Sequence, residues 1–384
     1  MIAFGASWLA CRAAIPLASQ LGWFDRPDGH RKLHSSPVPL LGGVAIISGF
    51  ASALVIIGTC FDWPFTTSLG HWFGLGLTSL LLCLLGLYDD LHHLRPKMKL
   101  LWQMIALVPY LVLTPALQSI QLLGMPLPLG PCGWLFTGFF LIAAINALNL
   151  IDGVDGLAGS TSLVIIVAAG VHAWLSGSFE LAALLLVAAA SVGGFLSHNW
   201  APARIYLGDS GSHLLGFWVG AFSLASSTKT VTGLTLFVPV VLLSLPAFDT
   251  ALAILRRSLI SRSIAEPDRL HIHHRLLSRG LAPWQVTLLI TSLSATMAAF
   301  ALTGSYLQQE WLSWGGCGLV LIATVALEVC GQEEWRLVRE WWAGTLEPVI
   351  TDEEIAEKRR TATLTLSAVA TPLDAPIEHS KQTV

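Results

Sequence analysis

Long apolar segments separated by short polar ones dominate the pattern of the chain. A helix needs about 20 mostly apolar residues to cross a bilayer. Eleven such segments lie at 1–20, 40–60, 69–88, 100–117, 133–151, 161–177, 180–198, 211–227, 233–251, 283–304 and 311–330. The pattern therefore predicts an all-α, polytopic integral membrane protein with about eleven transmembrane helices.

The composition agrees with this prediction. Of the 384 residues, 54% are hydrophobic and only 12% are charged, whereas a soluble domain carries about 25% charged residues. So few ionic groups exclude a water-soluble fold of this size. The formal net charge is −3 and no basic tract is present, so we expect no nucleic-acid partner.

The basic residues predict the orientation of the chain in the membrane. One set of alternate loops holds thirteen lysines and arginines, at positions 26, 31, 32, 95, 97, 99, 204, 256, 257, 262, 269, 275 and 279, and the other set holds only Lys229. Because cytoplasmic loops are enriched in basic residues, the N-terminus is expected outside and the C-terminus in the cytoplasm.

The composition changes near residue 331, which divides the chain into a transmembrane region, 1–330, and a cytoplasmic region, 331–384. The start of the second region, Glu333 to Trp342, combines acids, arginines and three tryptophans. That combination is typical of a helix lying at the membrane interface. The remainder is rich in Thr, Ala, Glu and Pro, which predicts a disordered tail.

Acidic residues of the membrane region gather with glycines at segment ends on the predicted cytoplasmic side. They are Asp89 and Asp90 after the third segment, Asp152 and Asp155 after the fifth, and Asp209 at the start of the eighth. Adjacent carboxylates at a low-dielectric boundary repel each other unless a cation is present. The cluster therefore favours a functional site over solvated helix ends.

A polar stripe closes the fifth segment. Asn146, Asn149, Asp152 and Asp155 recur at every third position, which places them on one side of a helix. Polar groups facing lipid would be costly, so this stripe is expected to line a cavity. Glycines at 153, 156, 159, 208 and 211 allow the close backbone approach that a phosphate site needs.

The residue types indicate which metal and which chemistry the site suits. Carboxylate and amide oxygens favour Mg²⁺, with Mn²⁺ as the alternative. His271, His273 and His274 form a run that is reminiscent of zinc sites, but no fourth soft ligand is spaced for zinc. Arg256, Arg257, Arg262 and Arg269 are donors suited to phosphate oxygens, and positive-inside bias explains any one of them equally well. Together these groups suggest phosphoryl transfer between a soluble donor and a lipid.

Two other classes of protein fit the sequence less well. An ion-coupled transporter predicts ionisable groups near the bilayer midplane, but only Asp249 and Glu328 fall inside the apolar segments, each near an end. A receptor or scaffold gives no reason for five acids on one membrane side. The transferase interpretation is therefore preferred.

At these motifs the chain resembles the polyprenyl-phosphate N-acetylhexosamine-1-phosphate transferase superfamily over residues 20–330. The resemblance is carried by Asp25-Arg26-Pro27, Arg31 to His34, Asp89-Asp90, Lys99, Asn149 to Gly159, Gly208 to Ser212 and Pro267 to Arg275. The last of these is similar to the N-acetylglucosamine-1-phosphate (GlcNAc-1-phosphate) transferase branch. Some members carry a further aspartate where this chain has His93, so no third carboxylate is assigned there.

The resemblance implies a role for each matching residue. Asn149 and Asp209 are implied as Mg²⁺ ligands, and Asp89 and Asp90 as the paired catalytic aspartates, with Asp89 accepting the proton of the lipid phosphate. Asp155, with Gly156 and Leu157, is implied in uracil recognition. Diphosphate and sugar phosphate would be held by Lys99, Arg269, His271, His273 and His274; Asp152 is assigned a catalytic role and Asn146 a substrate-binding one.

The implied reaction moves GlcNAc-1-phosphate from UDP-GlcNAc to undecaprenyl phosphate with release of UMP, which starts cell-envelope polysaccharide synthesis. UDP sugars of GalNAc, FucNAc or QuiNAc are alternative donors for the same chemistry. The resemblance also implies a bacterial inner-membrane enzyme with its active site on the cytoplasmic face, and it allows a homodimer. Single displacement is favoured over a covalent intermediate.

Overall fold

The computed structural model describes residues 1–25, 38–60, 69–122, 125–230, 233–235, 237–260, 270–343 and 345. These parts of the chain are overwhelmingly helical. The helices are α1 (Ile2–Leu21), α2 (Gly42–Cys60), α3 (Leu69–His92), α4 (Pro96–Leu113), α5 (Cys132–Ile151), α6 (Leu157–Leu175), α7 (Phe179–Asn199), α8 (Gly208–Ser227), α9 (Phe237–Leu259), α10 (Ile272–Ser278), α11 (Pro283–Tyr306), α12 (Glu310–Ala326) and α13 (Gln332–Trp342).

Each of the eleven apolar segments overlaps one of these helices. Seven of the described helices, α2, α3, α5, α6, α7, α9 and α11, are long and apolar enough to cross a membrane, and α1 and α12 contain shorter apolar stretches. The chain is therefore a multi-pass membrane protein. The sequence-based end of the ninth segment at residue 251 was wrong, since α9 continues to Leu259 and carries Arg256 and Arg257 on the helix.

Helix α8 lies at the centre of the bundle, against α2, α3, α5 and α6. Most of its side chains are buried, including Trp218, whose indole nitrogen donates to Ser79 Oγ at 2.9 Å. A Cβ at Gly86 of α3 would overlap the carbonyl of Asp209. Small residues at such contacts let backbones approach closely, and here they bring the end of α3 against the start of α8.

Short strands depart from the purely helical prediction. A pair, β1 (Phe24–Asp25) with β2 (Val38–Pro39), is antiparallel. A four-stranded sheet has the order β4-β3-β6-β5, from β3 (Ser119–Leu122), β4 (Met125–Pro128), β5 (Thr228–Thr230) and β6 (Gly233–Thr235), with β3 and β6 parallel. The sheet joins the α4–α5 and α8–α9 connections, where pairing satisfies backbone groups that a lone loop would leave open.

The predicted helix in the C-terminal region is present as α13, which packs against α9. Its outer side is aromatic, with Trp335, Trp341 and Trp342 all exposed. The predicted disordered tail lies outside the described residues. Helix α13 therefore belongs to the same packed body as the transmembrane helices.

Candidate active site

The paired aspartates at the end of α3 meet the start of α8. Asp90 accepts hydrogen bonds from the backbone N–H of Asp209 (Oδ1, 2.8 Å) and of Ser210 (Oδ2, 3.2 Å). The first N–H groups of a helix have no partner within the helix, and the partial positive charge at the helix N-terminus favours a carboxylate. Asp90 therefore caps α8 and fixes the position of Asp209.

Three side-chain oxygens converge on one cation, the ammonium of Lys99. Its Nζ lies 2.9 Å from Asp89 Oδ2 and 2.9 Å from Asp209 Oδ2. With its amide nitrogen towards Asp209 Oδ1 (2.7 Å), Asn149 places its oxygen 3.1 Å from the same Nζ. The ends of α3 and α5 and the start of α8 therefore bring these three residues together, and their roles stay predictions.

The donor chemistry at this point suits a hard divalent cation. One ligand atom from each of Asp89, Asp209 and His213 lies within 4.8 Å of the other two. Carboxylate oxygens, with the amide oxygen of Asn149 beside them, are ligands that Mg²⁺ and Mn²⁺ prefer. The residues thus fit the predicted metal, and they add His213, which the sequence analysis had not assigned.

Asn146 contacts this cluster through other side chains. Its Nδ2 donates to Gln103 Oε1 at 2.9 Å, and Gln103 Nε2 lies 3.2 Å from His213 Nε2. Gln103 and His213 are fully buried. Asn146 therefore contacts Gln103, which in turn contacts His213. The assignment of Asn146 to substrate binding stays a prediction.

The α5–α6 connection brings Asp152 and Asp155 to the same end of the bundle. Two main causes raise the pKa of Asp152 well above its usual range: loss of solvent around the buried carboxyl, which is the larger, and the negative charge of Asp209. Asp155 Oδ2 accepts from the backbone N–H of Ala203 at 2.9 Å, and Gly156 N–H donates to Asn199 Oδ1 at 3.1 Å. Asp155 and Gly156 therefore fix the neighbouring α7–α8 connection.

Gly156 and Leu157 stand at the start of α6 and differ in backbone conformation and burial. Gly156 has φ +74°, in the left-handed region that glycine adopts without strain. Leu157 has no exposed surface and packs in the core. The Leu157 side chain is therefore not accessible to a substrate in this structure.

The histidine segment, which carries His271, His273 and His274, is held by a carboxylate from α9. His271 Nδ1 lies 2.9 Å from Asp249 Oδ2, and the Ile272 N–H donates to Asp249 Oδ1 at 3.0 Å. His271 is only 3% exposed. Asp249, which the sequence analysis treated only as an acid within a span, thus sets the orientation of the first histidine.

His273 faces the α5–α6 connection. A Cβ at Gly153 would overlap His273 Nε2, and neither ring nitrogen has a hydrogen-bond partner among the described residues. Burial, followed by the neighbouring His274, lowers the pKa of His273 to about 3, so the ring stays neutral. His274 lies with its ring centroid 4.2 Å from that of His273, and Arg269 lies outside the described residues.

Sequence reasoning missed four supporting residues: Gln103, Asn199, His213 and Asp249. Asn199 is an example, because its amide accepts from Gly156 and donates to Ile205 O at 2.8 Å. Asn199 and Asp249 are distant in sequence from the motifs that they support, whereas His213 directly follows Ser212 and Gln103 lies one helical turn after Lys99. Only a buried polar group within an apolar segment, which is costly unless paired, signals them beforehand.

Comparison with known proteins places the chain in a family. The sequence model described as glycosyl transferase family 4 matches residues 72–227, which include the acidic cluster. A probable undecaprenyl-phosphate N-acetylglucosaminyl 1-phosphate transferase of Bacillus subtilis (strain 168) is 33% identical over 290 residues, 73% of this chain and 78% of that protein. The chain belongs to glycosyl transferase family 4.

More distant members of family 4 align over more of the chain. An undecaprenyl-phosphate alpha-N-acetylglucosaminyl 1-phosphate transferase of Yersinia pestis is 29% identical over 84% of this chain and 88% of its own length. The protein of the same description from Escherichia coli (strain K12) is 27% identical over 84% of this chain and 87% of its own. The shared length extends well beyond residues 72–227.

Proposed function

We propose that this chain transfers GlcNAc-1-phosphate from UDP-GlcNAc to undecaprenyl phosphate and releases UMP. The observation that carries the proposal is the convergence of Asp89, Asn149 and Asp209 on one cation at the ends of three helices. Relatives whose names describe this activity support it. The buried polar groups serve a charged substrate at one end of an apolar bundle, as a lipid phosphate acceptor requires.

The same oxygens are proposed to hold Mg²⁺, with Mn²⁺ as a substitute. A bound divalent cation would neutralise the diphosphate and stabilise charge developing on its bridging oxygen. Asp89, Asn149 and Asp209 would hold it, and Asp90 would keep Asp209 in place by capping α8. His213 adds a nitrogen donor, which Mn²⁺ accepts more readily than Mg²⁺.

Lys99 and the histidine segment are proposed to bind the substrate phosphates. The Lys99 ammonium already lies among the oxygens of the cluster, so a short movement would pair it with a diphosphate oxygen. His271 and His274 lie at the start of α10, next to His273, which packs against the α5–α6 connection, and Arg269 precedes them in the chain. Asp152, Asp155 and Gly156 lie in the α5–α6 connection, against which His273 packs, and are proposed to hold the nucleotide.

Asp89 is proposed to orient the acceptor more than to remove its proton. Both of its oxygens are engaged, Oδ1 by the Leu94 N–H at 2.7 Å and Oδ2 by Lys99. A phosphate monoester with a second pKa of about 6 is largely ionised at neutral pH. Little proton removal is therefore needed before the lipid phosphate oxygen attacks the β-phosphorus and UMP leaves.

We further propose that all eleven apolar helices cross a bacterial inner membrane, with the N-terminus outside and the C-terminus in the cytoplasm. The distribution of basic residues supports this orientation. The acidic cluster and the histidine segment lie on the basic side, where a nucleotide sugar is available. Helices α4 and α8 are not among the seven strongly apolar helices, because they carry more polar residues. The bundle buries most residues of α8, so these polar groups do not exclude a membrane span.

The test is UMP release by the purified full-length chain in detergent with lipid. Release should require UDP-GlcNAc, undecaprenyl phosphate and Mg²⁺ together, and omission of any one should abolish it. Parallel reactions with UDP-GalNAc and deoxy-sugar donors identify the sugar, and faster release with one of them would reassign the donor. No release with any UDP-N-acetylhexosamine would contradict the transferase proposal.

A further inference from the structure

Helix α13 carries a carboxylate that is buried although most of the helix is polar and exposed. Glu334 is only 3% exposed, whereas Trp335 beside it is 64% exposed. Removing a carboxylate from water is costly unless it is paired and hydrogen-bonded. The burial of Glu334 therefore requires partners in the body of the protein.

Two arginines from different helices supply those partners. Glu334 Oε1 accepts from Arg256 Nη1, at the end of α9, and from Arg275 Nη2 of α10 at 2.8 Å. Arg256 is itself buried, at 3% exposure. One carboxylate oxygen thus joins three helices that are distant in sequence.

Arg275 extends this connection to the histidine segment. Its Nε donates to the carbonyl of Leu270 at 2.8 Å, directly before His271. At the other end of α10, Arg279 donates to the carbonyl of Glu328, which follows α12. The segment from 270 to 279 is therefore held by the C-terminal region as well as by Asp249.

We propose that Glu334 is a positioning residue of the transferase site, and that α13 belongs to the catalytic body. It acts through Arg275 on the backbone that presents His271, and it touches no substrate itself. This inference rests on the proposed function for its activity readout. Outer partners that orient catalytic groups typically change activity by about 10–100-fold when they are removed.

The test compares Glu334→Gln with Glu333→Gln in the full-length chain. Glu333 lies on the same helix, has a side chain that is 34% exposed, and pairs with Arg336 one turn away, so its substitution removes an equal charge from outside the hydrogen-bonded network. For Glu334→Gln we expect kcat of UMP release to fall at least about tenfold, with little change in the KM for UDP-GlcNAc. For Glu333→Gln we expect the wild-type kcat.

Hydrogen exchange gives a readout that does not depend on activity. In Glu334→Gln, backbone amides of 270–279 should exchange faster, while those at the α3–α8 contact should be unchanged. Arg275→Lys keeps a charge for Glu334 but removes the Nε donor to Leu270, so it should produce the same loss of kcat. This second variant keeps the test decisive if Glu334→Gln folds poorly.

The outcomes separate the two proposals. Wild-type kcat and exchange in both Glu334→Gln and Arg275→Lys would overturn the positioning role. Faster exchange across the whole chain would also overturn it, because it would show a general structural role. A wild-type protein that releases no UMP would contradict the proposed function, while the exchange at 270–279 would still test Glu334.

Discussion

The acidic cluster and the histidine segment are supported in different ways. Asp89, Asn149 and Asp209 lie near helix ends and are balanced by Lys99; Asp89 is buried, whereas the Asp209 side chain is 29% exposed. His271 and His273 are 3% and 2% exposed. His271 and the backbone beside it are held by carboxylates from α9 and α13. The first region is arranged around a cation, whereas the second holds His271 and its backbone in place and keeps the His273 ring neutral.

This difference decides what a substitution should do in each region. Changes in the acidic cluster alter the charge that would meet the proposed metal and diphosphate. Changes around the histidines alter geometry and leave the cation site intact. The following predictions test this separation, beginning with the largest expected effect.

The helix contact beneath the acidic cluster offers the strongest test with no change in charge. Gly86→Ala introduces a Cβ that would overlap the Asp209 carbonyl and so push α8 away from α3. A misplacement of about 1 Å can cost roughly a hundredfold in rate, and overpacking costs about 1–3 kcal/mol of stability. UMP release and thermal unfolding in detergent measure the two effects.

Gly76→Ala is the matched control, because Gly76 lies on the same helix and nothing lies within 4 Å of its added Cβ. It should keep wild-type activity and unfold at the same or a slightly higher temperature, since alanine favours helices. Equal activity in the two variants would show that the close contact at Gly86 does not position Asp209.

Lys99 tests how the acidic cluster is balanced. Lys99→Gln removes the cation that lies 2.9 Å from both Asp89 and Asp209. The remaining carboxylates repel each other more strongly, so Mn²⁺ should bind several-fold more tightly. UMP release should fall at least about tenfold, because the proposed charged hydrogen bond to phosphate, worth about 1.5–3 kcal/mol, is lost. Electron paramagnetic resonance of Mn²⁺ and the UMP assay measure these opposite changes. Weaker Mn²⁺ binding would contradict the balance described here.

The lowered pKa of His273 predicts a smaller effect, which is confined to the stability of the folded protein. Its pKa is lowered from 6.5 to about 3 by burial and by His274, so between these values the unfolded chain binds a proton that the folded chain does not. Its contribution to stability is therefore fully present above about pH 6.5 and is lost as the pH falls towards 3. Between pH 7 and pH 5 this amounts to about 2 kcal/mol.

His273→Gln removes this titration. Its unfolding temperature should therefore decrease less than that of the wild type between pH 7 and pH 5, by a few degrees. Parallel curves for the two proteins would show that His273 is not held neutral.

The sequence predicted the acidic cluster better than its surroundings. Asp89, Asp90 and Asp209 stand in short motifs at segment ends, so the alternation of spans was enough to bring them to one side of the bundle. Asp249 and Glu334 stand 22 and 63 residues from His271 on either side, and only the packing of α9 and α13 reveals their contacts. The small sheet was missed for a related reason, because strands of three or four residues pair only when the helices bring their connections together.

The central claim is that Asp209 holds the metal of a phosphosugar transferase, and Asp209→Asn tests it most directly. The decisive measurement is Mn²⁺ binding by electron paramagnetic resonance, taken with UMP release on the same preparations. Glu340→Gln is the charge control, because Glu340 is partly exposed on α13 and pairs with Arg336 at 3.3 Å. We expect Asp209→Asn to fold normally, to bind Mn²⁺ at least about tenfold more weakly, and to lose Mg²⁺-dependent UMP release. Unchanged Mn²⁺ affinity together with undiminished UMP release would contradict the account.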